Sequence, residues 1–206
     1  VAAVLSVTVA SIALLLAGTA GTYAADVTYE RLRNPEPQNW LMNHRDFGSQ
    51  RFSPLDQINK SNVRNLKLAF AVPLGGKAGN EYVEATPLVD NGFMYTSDGW
   101  GTIYKIDDRN PNKGEFVWVS NSGVQHEGNL SRTRGIALWE DLVIANLPDG
   151  RVIALNRDTG EIVWDKKIAV KNEFGNQERF LTAPLVADGK VIIQNGAGDG
   201  GTRGWI

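Results

Sequence analysis

The amino-acid sequence predicts an all-β protein with the architecture of a β-propeller, and two observations support this fold class. After residue 25 the chain alternates short runs rich in Val, Ile, Tyr and Trp with turns that contain Gly, Asp or Pro, and it shows almost no helical periodicity. The chain also repeats itself with the period of about 40–50 residues that is typical of propeller blades. The 206 residues hold about three such repeats of about four strands each, so about three blades are expected.

The repeat is clearest in a unit that ends on tryptophan. Residues 151–164 read RVIALNRDTGEIVW, and a looser copy covers residues 102–118. Copies of a second unit, a strand pair, lie at 86–95, 136–144 and 183–192. The large flat rings of Trp118 and Trp164 suit the space between neighbouring sheets, so we predict that they pack between blades and do not contact a cofactor.

Short β-rich runs predict ten strands, and one helical turn is predicted over Ser61–Leu66, capped by Ser61. The predicted strands are Leu68–Val72, Phe93–Ser97, Thr102–Ile106, Phe116–Val119, Gly135–Trp139, Leu142–Ala145, Arg151–Leu155, Ile162–Trp164, Thr182–Val186 and Val191–Gln194.

The first 25 residues carry no charge and predict a signal peptide. An apolar run, Val1–Leu16, is followed by small residues, which predicts cleavage after Ala24 or Ala25 and export to the periplasm. A membrane anchor is the weaker alternative, because a run of about 16 residues is short against the roughly 20 that span a bilayer. The start lacks Met and a basic region, so residues 1–25 are interpreted as a signal peptide truncated at its start, with the propeller over 26–206.

Charge and cysteine content exclude several classes of function. The formal net charge is −2 and no basic stripe is present, so no nucleic-acid partner is expected. The absence of cysteine excludes thiolate catalysis, disulfides and cysteine-based metal sites within these residues. His44 and His126 belong to no catalytic pattern and are expected at the surface or in packing.

An ordered set of motifs runs through residues 38–206. The set comprises Asn39–Leu41, Gln50–Leu55, Gln57–Asn59, Asn65–Leu68, Glu84–Leu88, Arg134-Gly135, the Ala-Leu-Asn, Asp-Thr-Gly and Trp signature of 154–164, and Gly201–Trp205. In this order it resembles the PQQ-dependent alcohol dehydrogenases, the methanol and ethanol dehydrogenase family. The resemblance implies an eight-bladed propeller with PQQ and a calcium or lanthanide ion on its axis. It also implies oxidation of a small alcohol, with electrons passed to a cytochrome c or a quinone.

The resemblance assigns residues to a cofactor and metal site. The cofactor-binding residues that it implies are Glu84, Arg134, Thr182, Gly196 and Ala197, and the metal ligand is Asp199. The planar fork of an arginine suits a tricarboxylate, and a carboxylate suits a hard cation. Alternatives remain for each charged residue, since Glu84 and Arg134 could be solvated surface charges and Asp199-Gly200 could be a hairpin turn. Thr182 stands one place after the family's threonine, which aligns with Leu181.

Three points limit what the resemblance implies. The metal ligand Asp199 is an Asp where the family more usually has Glu, which shortens the side chain by one methylene. The family's catalytic Asp lies further along the chain, so no catalytic residue is predicted here and the segment alone is expected to be inactive. The family's adjacent cysteine pair would fall at Gly128-Asn129 and is missing. The alternative function is a non-catalytic propeller that serves as a binding platform, such as an outer-membrane assembly factor. Such factors are typically anchored through a cysteine, which this chain lacks.

Overall fold

The computed structural model describes residues 25–75, 81–126, 131–171, 173–175, 178–196 and 201–206, so most of the predicted signal peptide lies outside the described residues. The helical elements are α1 (Tyr29–Arg33) and a 3-10 turn (Val63–Asn65). The strands are β1 (Glu81–Val83), β2 (Leu88–Asp90), β3 (Phe93–Ser97), β4 (Ile103–Asn110), β5 (Lys113–Ser120), β6 (Ser131–Thr133), β7 (Ile136–Trp139), β8 (Leu142–Asn146), β9 (Arg151–Asn156), β10 (Ile162–Lys167), β11 (Leu185–Ala187) and β12 (Lys190–Ile192). In these ranges no helix has the length and apolar composition that a membrane span needs.

The strands form two complete antiparallel meanders and the hairpin of a third. The first sheet has the order β2-β3-β4-β5 and the second the order β7-β8-β9-β10, so neighbours in space are neighbours in sequence. Strands β11 and β12 pair antiparallel and repeat the β2-β3 unit. Strand β7 packs against β2, β3 and β11, which brings the first strands of the three units together. The prediction of an all-β propeller is confirmed.

The last strand of each complete blade is much less buried than the three before it. Strand β9 reads VIAL at its buried centre, because a strand that is covered on both faces by neighbouring blades needs a continuous apolar run. The outer strands β5 and β10 are mostly exposed and carry charged side chains. The polar outer strands therefore mark the rim, and the apolar inner strands mark the side that faces the centre.

A tryptophan joins the first blade to the second. The Nε1 atom of Trp118 donates a hydrogen bond to the carbonyl oxygen of Arg157 at 3.1 Å, at the β9–β10 turn of the next blade. A Cβ atom on Gly160 would lie 2.7 Å from Cδ2 of Trp118, so only glycine lets the ring rest on this turn. Trp164 packs against the core that contains Phe180 and Val186. The predicted packing of both tryptophans is confirmed.

A buried ionic cluster ties the start of the described chain to both blades. Asp90 at the end of β2 and Arg157 in the second blade are 0% and 1% exposed. Nη1 of Arg157 donates to Oδ2 of Asp90 at 2.9 Å, and Nη2 of Arg31 in α1 donates to Oδ1 at 2.7 Å. The segment after α1 then pairs with β2 through a bridge between Trp40 and Val89. Residues 39–43 therefore follow the inner strand toward the end of the propeller where β2 begins.

Two local predictions were wrong. Residues 68–72 form no strand, because Leu68 is exposed and the segment makes no ladder pairing while Phe70 and Val72 lie against Gly114 of β5. The predicted helical turn is a 3-10 turn that begins after Asn62, and Ser61 bonds to Asn59 and does not cap it.

The sequence analysis also missed three elements. Helix α1 begins after Thr28, whose side chain accepts a hydrogen bond from the backbone N–H of Arg31. The parallel pair of β1 and β6 joins segments 50 residues apart, from Glu81 to Ser131, and so leaves no local signal.

Candidate functional site

Three of the predicted site residues lie at the entry to three successive inner strands. Glu84 precedes β2, Arg134 precedes β7 and Thr182 precedes β11. Gly135 shows how closely these entries approach, because a Cβ atom there would lie 3.6 Å from the backbone N of Thr86 and 3.6 Å from Cβ of Ala183. Its φ of 129° is also one that favours glycine. The fold therefore assembles one site from three blades.

An ion pair links the first two entries. Nε of Arg134 lies 3.1 Å from Oε2 of Glu84, and Nη1 of Arg132 lies 3.6 Å from Oε1 of the same carboxylate. The Glu84 and Arg134 side chains are 34% and 43% exposed, so water screens the pair and it adds little to stability. What the pair does is orient Arg134. The Nη atoms of Arg134 have no partner within the described residues and stay open to an acceptor.

Backbone hydrogen bonds link the second and third entries. The N–H of Arg134 donates to the carbonyl oxygen of Leu181 at 3.1 Å, and Nδ2 of Asn146 donates to the carbonyl oxygen of Thr182 at 3.1 Å. Oγ1 of Thr182 is buried and has no hydrogen-bond partner in the described part of the chain. A buried hydroxyl without a partner is costly, so a bound ligand or water that pairs with it would be favoured.

Asn146 was missed by the sequence analysis. It is the last residue of β8 and 1% exposed, and its Oδ1 also lacks a partner among the described residues. The available signal was a single amide inside the apolar run of 142–147. Since a buried amide must be hydrogen-bonded, such a residue points to a polar neighbour on another strand.

Gly196 lies beside the same segment. Its N–H donates to the carbonyl oxygen of Arg179 at 3.0 Å, and a Cβ atom there would lie 3.8 Å from the Leu181 side chain. Ala197 and Asp199, the other two predicted residues, lie outside the described residues. Among the described residues no group of three or more His, Cys, Asp or Glu side chains is arranged to hold a metal ion.

The entries to β7 and β11 border a groove of about 400 Å³. Its polar lining comprises Asn43, His44, Arg51, Arg134, Thr182 and Gln194. The two arginines give the groove a positive character. A groove with two guanidinium groups and an unpaired hydroxyl can bind an anion that carries more than one carboxylate.

Burial changes the acid–base properties of the first blade near this end. Burial raises the pKa of Glu81, although a hydrogen bond from the Gly99 N–H at 3.0 Å opposes the shift. Burial, together with the nearby carboxylate of Asp98, raises the pKa of Tyr104 to about 12. His126 is exposed and stacks on Trp100 with ring centroids 4.8 Å apart, which agrees with the prediction of a surface or packing role.

Blades that meet beside a polar groove, at the end where the inner strands begin, define the class of this protein as a propeller. Residues 40–204 match the family described as "PQQ: Glucose/ethanol/alcohol dehydrogenase, beta-propeller domain". The match covers well over half of the chain, and the chain belongs to this family.

Curated relatives agree with this family. The chain is 38% identical over 180 residues to the dehydrogenase subunit of a quinone alcohol dehydrogenase from Gluconacetobacter polyoxogenes, covering 82% of this chain and 23% of that protein. It is 36% identical over 200 residues to quinohemoprotein alcohol dehydrogenase ADH IIB from Pseudomonas putida, covering 94% of this chain and 28% of that protein. The chain therefore spans about a quarter of the length of these relatives.

Solved structures show the same likeness. The quinohemoprotein alcohol dehydrogenase from Comamonas testosteroni superposes with a TM-score of 0.67 at 35% identity, covering 77% of this chain and 23% of that one. A europium-containing methanol dehydrogenase superposes with a TM-score of 0.72 at 27% identity, covering 85% of this chain and 30% of that one.

Proposed function

We propose that this chain is part of a periplasmic quinoprotein oxidoreductase that oxidises an alcohol with PQQ and a bound metal ion. The observation that carries the proposal is the convergence of Glu84, Arg134 and Thr182 at the entries of three blades, beside a groove with unpaired donors. The relatives named as quinone or quinohemoprotein alcohol dehydrogenases support the same chemistry.

The described side chains fit PQQ, a quinone that carries three carboxylates. The open Nη edge of Arg134 would bind one carboxylate through two parallel hydrogen bonds. The buried hydroxyl of Thr182 would gain the partner that it lacks, and Glu84 would accept a hydrogen bond from a ring N–H of the cofactor. Gly196 would allow the backbone to approach closely.

When bound, PQQ supplies a quinone that takes up two electrons from the alcohol. The residues of this chain bind and orient the cofactor. The ion pair between Glu84 and Arg134 fixes the direction of the guanidinium before the ligand arrives, so less freedom is lost on binding. The base that takes the alcohol proton is proposed to belong to another part of the protein.

A metal ion, calcium or a lanthanide, is the second part of the proposal, with Asp199 as a ligand. A hard cation prefers carboxylate oxygen, and one similar solved structure is a europium-containing methanol dehydrogenase. Asp199→Ala in the full-length protein is expected to lower metal and PQQ content together. If Asp199 is only a turn residue, both contents will stay unchanged and stability will fall by about 1 kcal/mol.

Location and electron acceptor complete the proposal. The predicted signal peptide over 1–25 supports export to the periplasm. The words quinone and quinohemoprotein in the names of the relatives support a quinone or a cytochrome c as the electron acceptor.

The test measures cofactor binding and alcohol oxidation by the full-length protein. The protein, freed of cofactor, is titrated with PQQ, and alcohol-dependent reduction of a dye is then followed. Arg134→Gln is expected to weaken PQQ binding by about 10- to 100-fold, whereas Arg33→Gln, an exposed arginine in α1, is the matched control. A folded wild-type protein that neither binds PQQ nor reduces the dye would overturn the proposal and favour the binding platform.

A further inference from the structure

A second arginine lines the groove, and no carboxylate of the described residues pairs with it. Arg51 borders the same groove as Arg134 and Thr182. Its Nε donates to Nδ1 of His44 at 2.8 Å, and its Nη2 donates to Oδ1 of Asn43 at 3.0 Å. Within the described residues no ion pair joins Arg51 to an acidic side chain, although its guanidinium is exposed.

The contacts of Arg51 hold the guanidinium in place without neutralising it. An exposed arginine normally keeps much of its rotamer freedom, and two hydrogen bonds to side chains remove that freedom. Neither acceptor is a carboxylate, so neither supplies the negative charge that would neutralise the guanidinium. The positive charge of Arg51 therefore stays available to a ligand, and Nη1 is free of partners within the described chain.

The backbone that carries Arg51 is held in an uncommon conformation. The φ angle is 51° at Arg51, 56° at Ser49 and 78° at Arg45. Non-glycine residues rarely adopt positive φ, and such residues cluster at ligand-binding sites where surrounding contacts maintain them. The loop of 45–51 thus places one side chain at a defined point. Its positive φ angles cost conformational energy, and an arginine that only faced solvent would not require them.

A further contact connects the two arginines. Nδ2 of Asn43 donates to the carbonyl oxygen of Arg134 at 3.4 Å, while Oδ1 of Asn43 accepts from Arg51. Movement of either arginine would therefore disturb the amide that supports both. The groove holds two oriented guanidinium groups, and only Arg134 has a carboxylate beside it.

We propose that Arg51 is a second anion-binding residue of this groove, with His44 and Asn43 as its positioning residues. Its ligand is a carboxylate of the polycarboxylate that Arg134 also binds. The inference rests on the proposed function for the identity of that ligand, PQQ. It rests on the groove alone for the chemical class, an anion with at least two carboxylates.

The experiment uses the full-length protein freed of cofactor and measures the Kd of PQQ by titration. Arg51→Gln is expected to raise the Kd by about 10- to 100-fold, the usual effect of losing a hydrogen-bonded charge partner. Arg64→Gln removes the same charge from an exposed turn outside the groove and should leave the Kd unchanged. An unfolding curve of each variant identifies any effect that arises from misfolding.

The positioning role is tested at His44. His44→Leu removes the acceptor and should raise the Kd by about 3- to 10-fold, because Arg51 keeps its charge but loses its orientation. His44→Gln offers an oxygen acceptor and should restore most of the affinity. Equal Kd values for these two variants and the wild type would overturn the positioning role.

Citrate serves as a second probe, because it shares three carboxylates with PQQ but has no quinone. If the wild type fails to bind PQQ but binds citrate in a manner that requires Arg51, the proposed function falls and the anion site stands. If the wild type binds PQQ and Arg51→Gln binds it equally well, the anion site falls and the proposed function stands.

Discussion

Replacement of Gly160 by alanine should weaken the junction between the two complete blades. Gly160 has a φ of 74°, and an alanine in this region costs about 1–2 kcal/mol. The added methyl group would lie 2.7 Å from Cδ2 and 2.8 Å from Cε3 of Trp118. Displacing this ring should cost about 1–3 kcal/mol more, the usual price of an overpacked core. We expect a total loss of about 2–5 kcal/mol in the free energy of unfolding.

Gly189 provides a control in the β11–β12 hairpin turn of the next blade. Its φ is 67°, and a Cβ atom placed there would have no neighbour within 4 Å. Gly189→Ala therefore introduces the backbone strain without the contact and should cost about 1–2 kcal/mol. The difference between the two variants measures the docking of Trp118 on its neighbouring blade.

The assay is denaturant unfolding of the full-length protein, followed by tryptophan fluorescence. In a Trp118→Ala background, Gly160→Ala should cost no more than Gly189→Ala, because the ring that it meets is gone. Equal losses for Gly160→Ala and Gly189→Ala in the wild-type background would refute the reasoning, since the contact with Trp118 would then carry no energy.

Three further predictions concern burial and charge. Asp90→Ala leaves the buried guanidinium of Arg157 without its carboxylate and should lower the free energy of unfolding by about 3–5 kcal/mol, whereas Asp188→Ala, at an exposed turn, should change it little. Asn146→Ala removes the donor to the Thr182 carbonyl and should cost about 1–3 kcal/mol in the same measurement. The raised pKa of Tyr104, about 12, should make stability fall at alkaline pH. A tyrosine titrates near pH 10 when unfolded, so its contribution is complete below about pH 10 and is lost as the pH rises through about 12. Circular dichroism and tyrosinate absorbance against pH would check this, and ionisation of Tyr104 at pH 10 without loss of structure would contradict it.

Much of the fold could be predicted from local sequence. Strand β3 begins and ends at Phe93 and Ser97, as predicted, and the blade strands β4, β5 and β7 to β10 lie within a few residues of their predicted positions. Period-two runs and turn residues act over a few positions, so the sequence carries them directly. The strand predicted over 68–72 was wrong because β-rich composition does not supply a partner strand, and a strand requires one.

The candidate site was predictable in part. Glu84, Arg134 and Thr182 were assigned through the resemblance to a family, and the structure brings them together, while their cofactor role stays a prediction. Nothing local distinguished Arg51 from other surface arginines, since its position depends on His44 and Asn43 and on a groove bordered by two later segments.

The sequence by itself determined the propeller fold class of this protein, its repeat, and the tryptophan in the last strand of each complete blade. These features depend on composition and on spacing along the chain, which are properties of neighbouring residues. Only the tertiary structure decided that Arg51 and Asn146 border the entries of β7 and β11, and that Asp90 is buried between Arg31 and Arg157. The reason is physical, because such contacts join residues as far apart in sequence as Asn43 and Arg134, 91 positions, and form only when the blades close around a common centre.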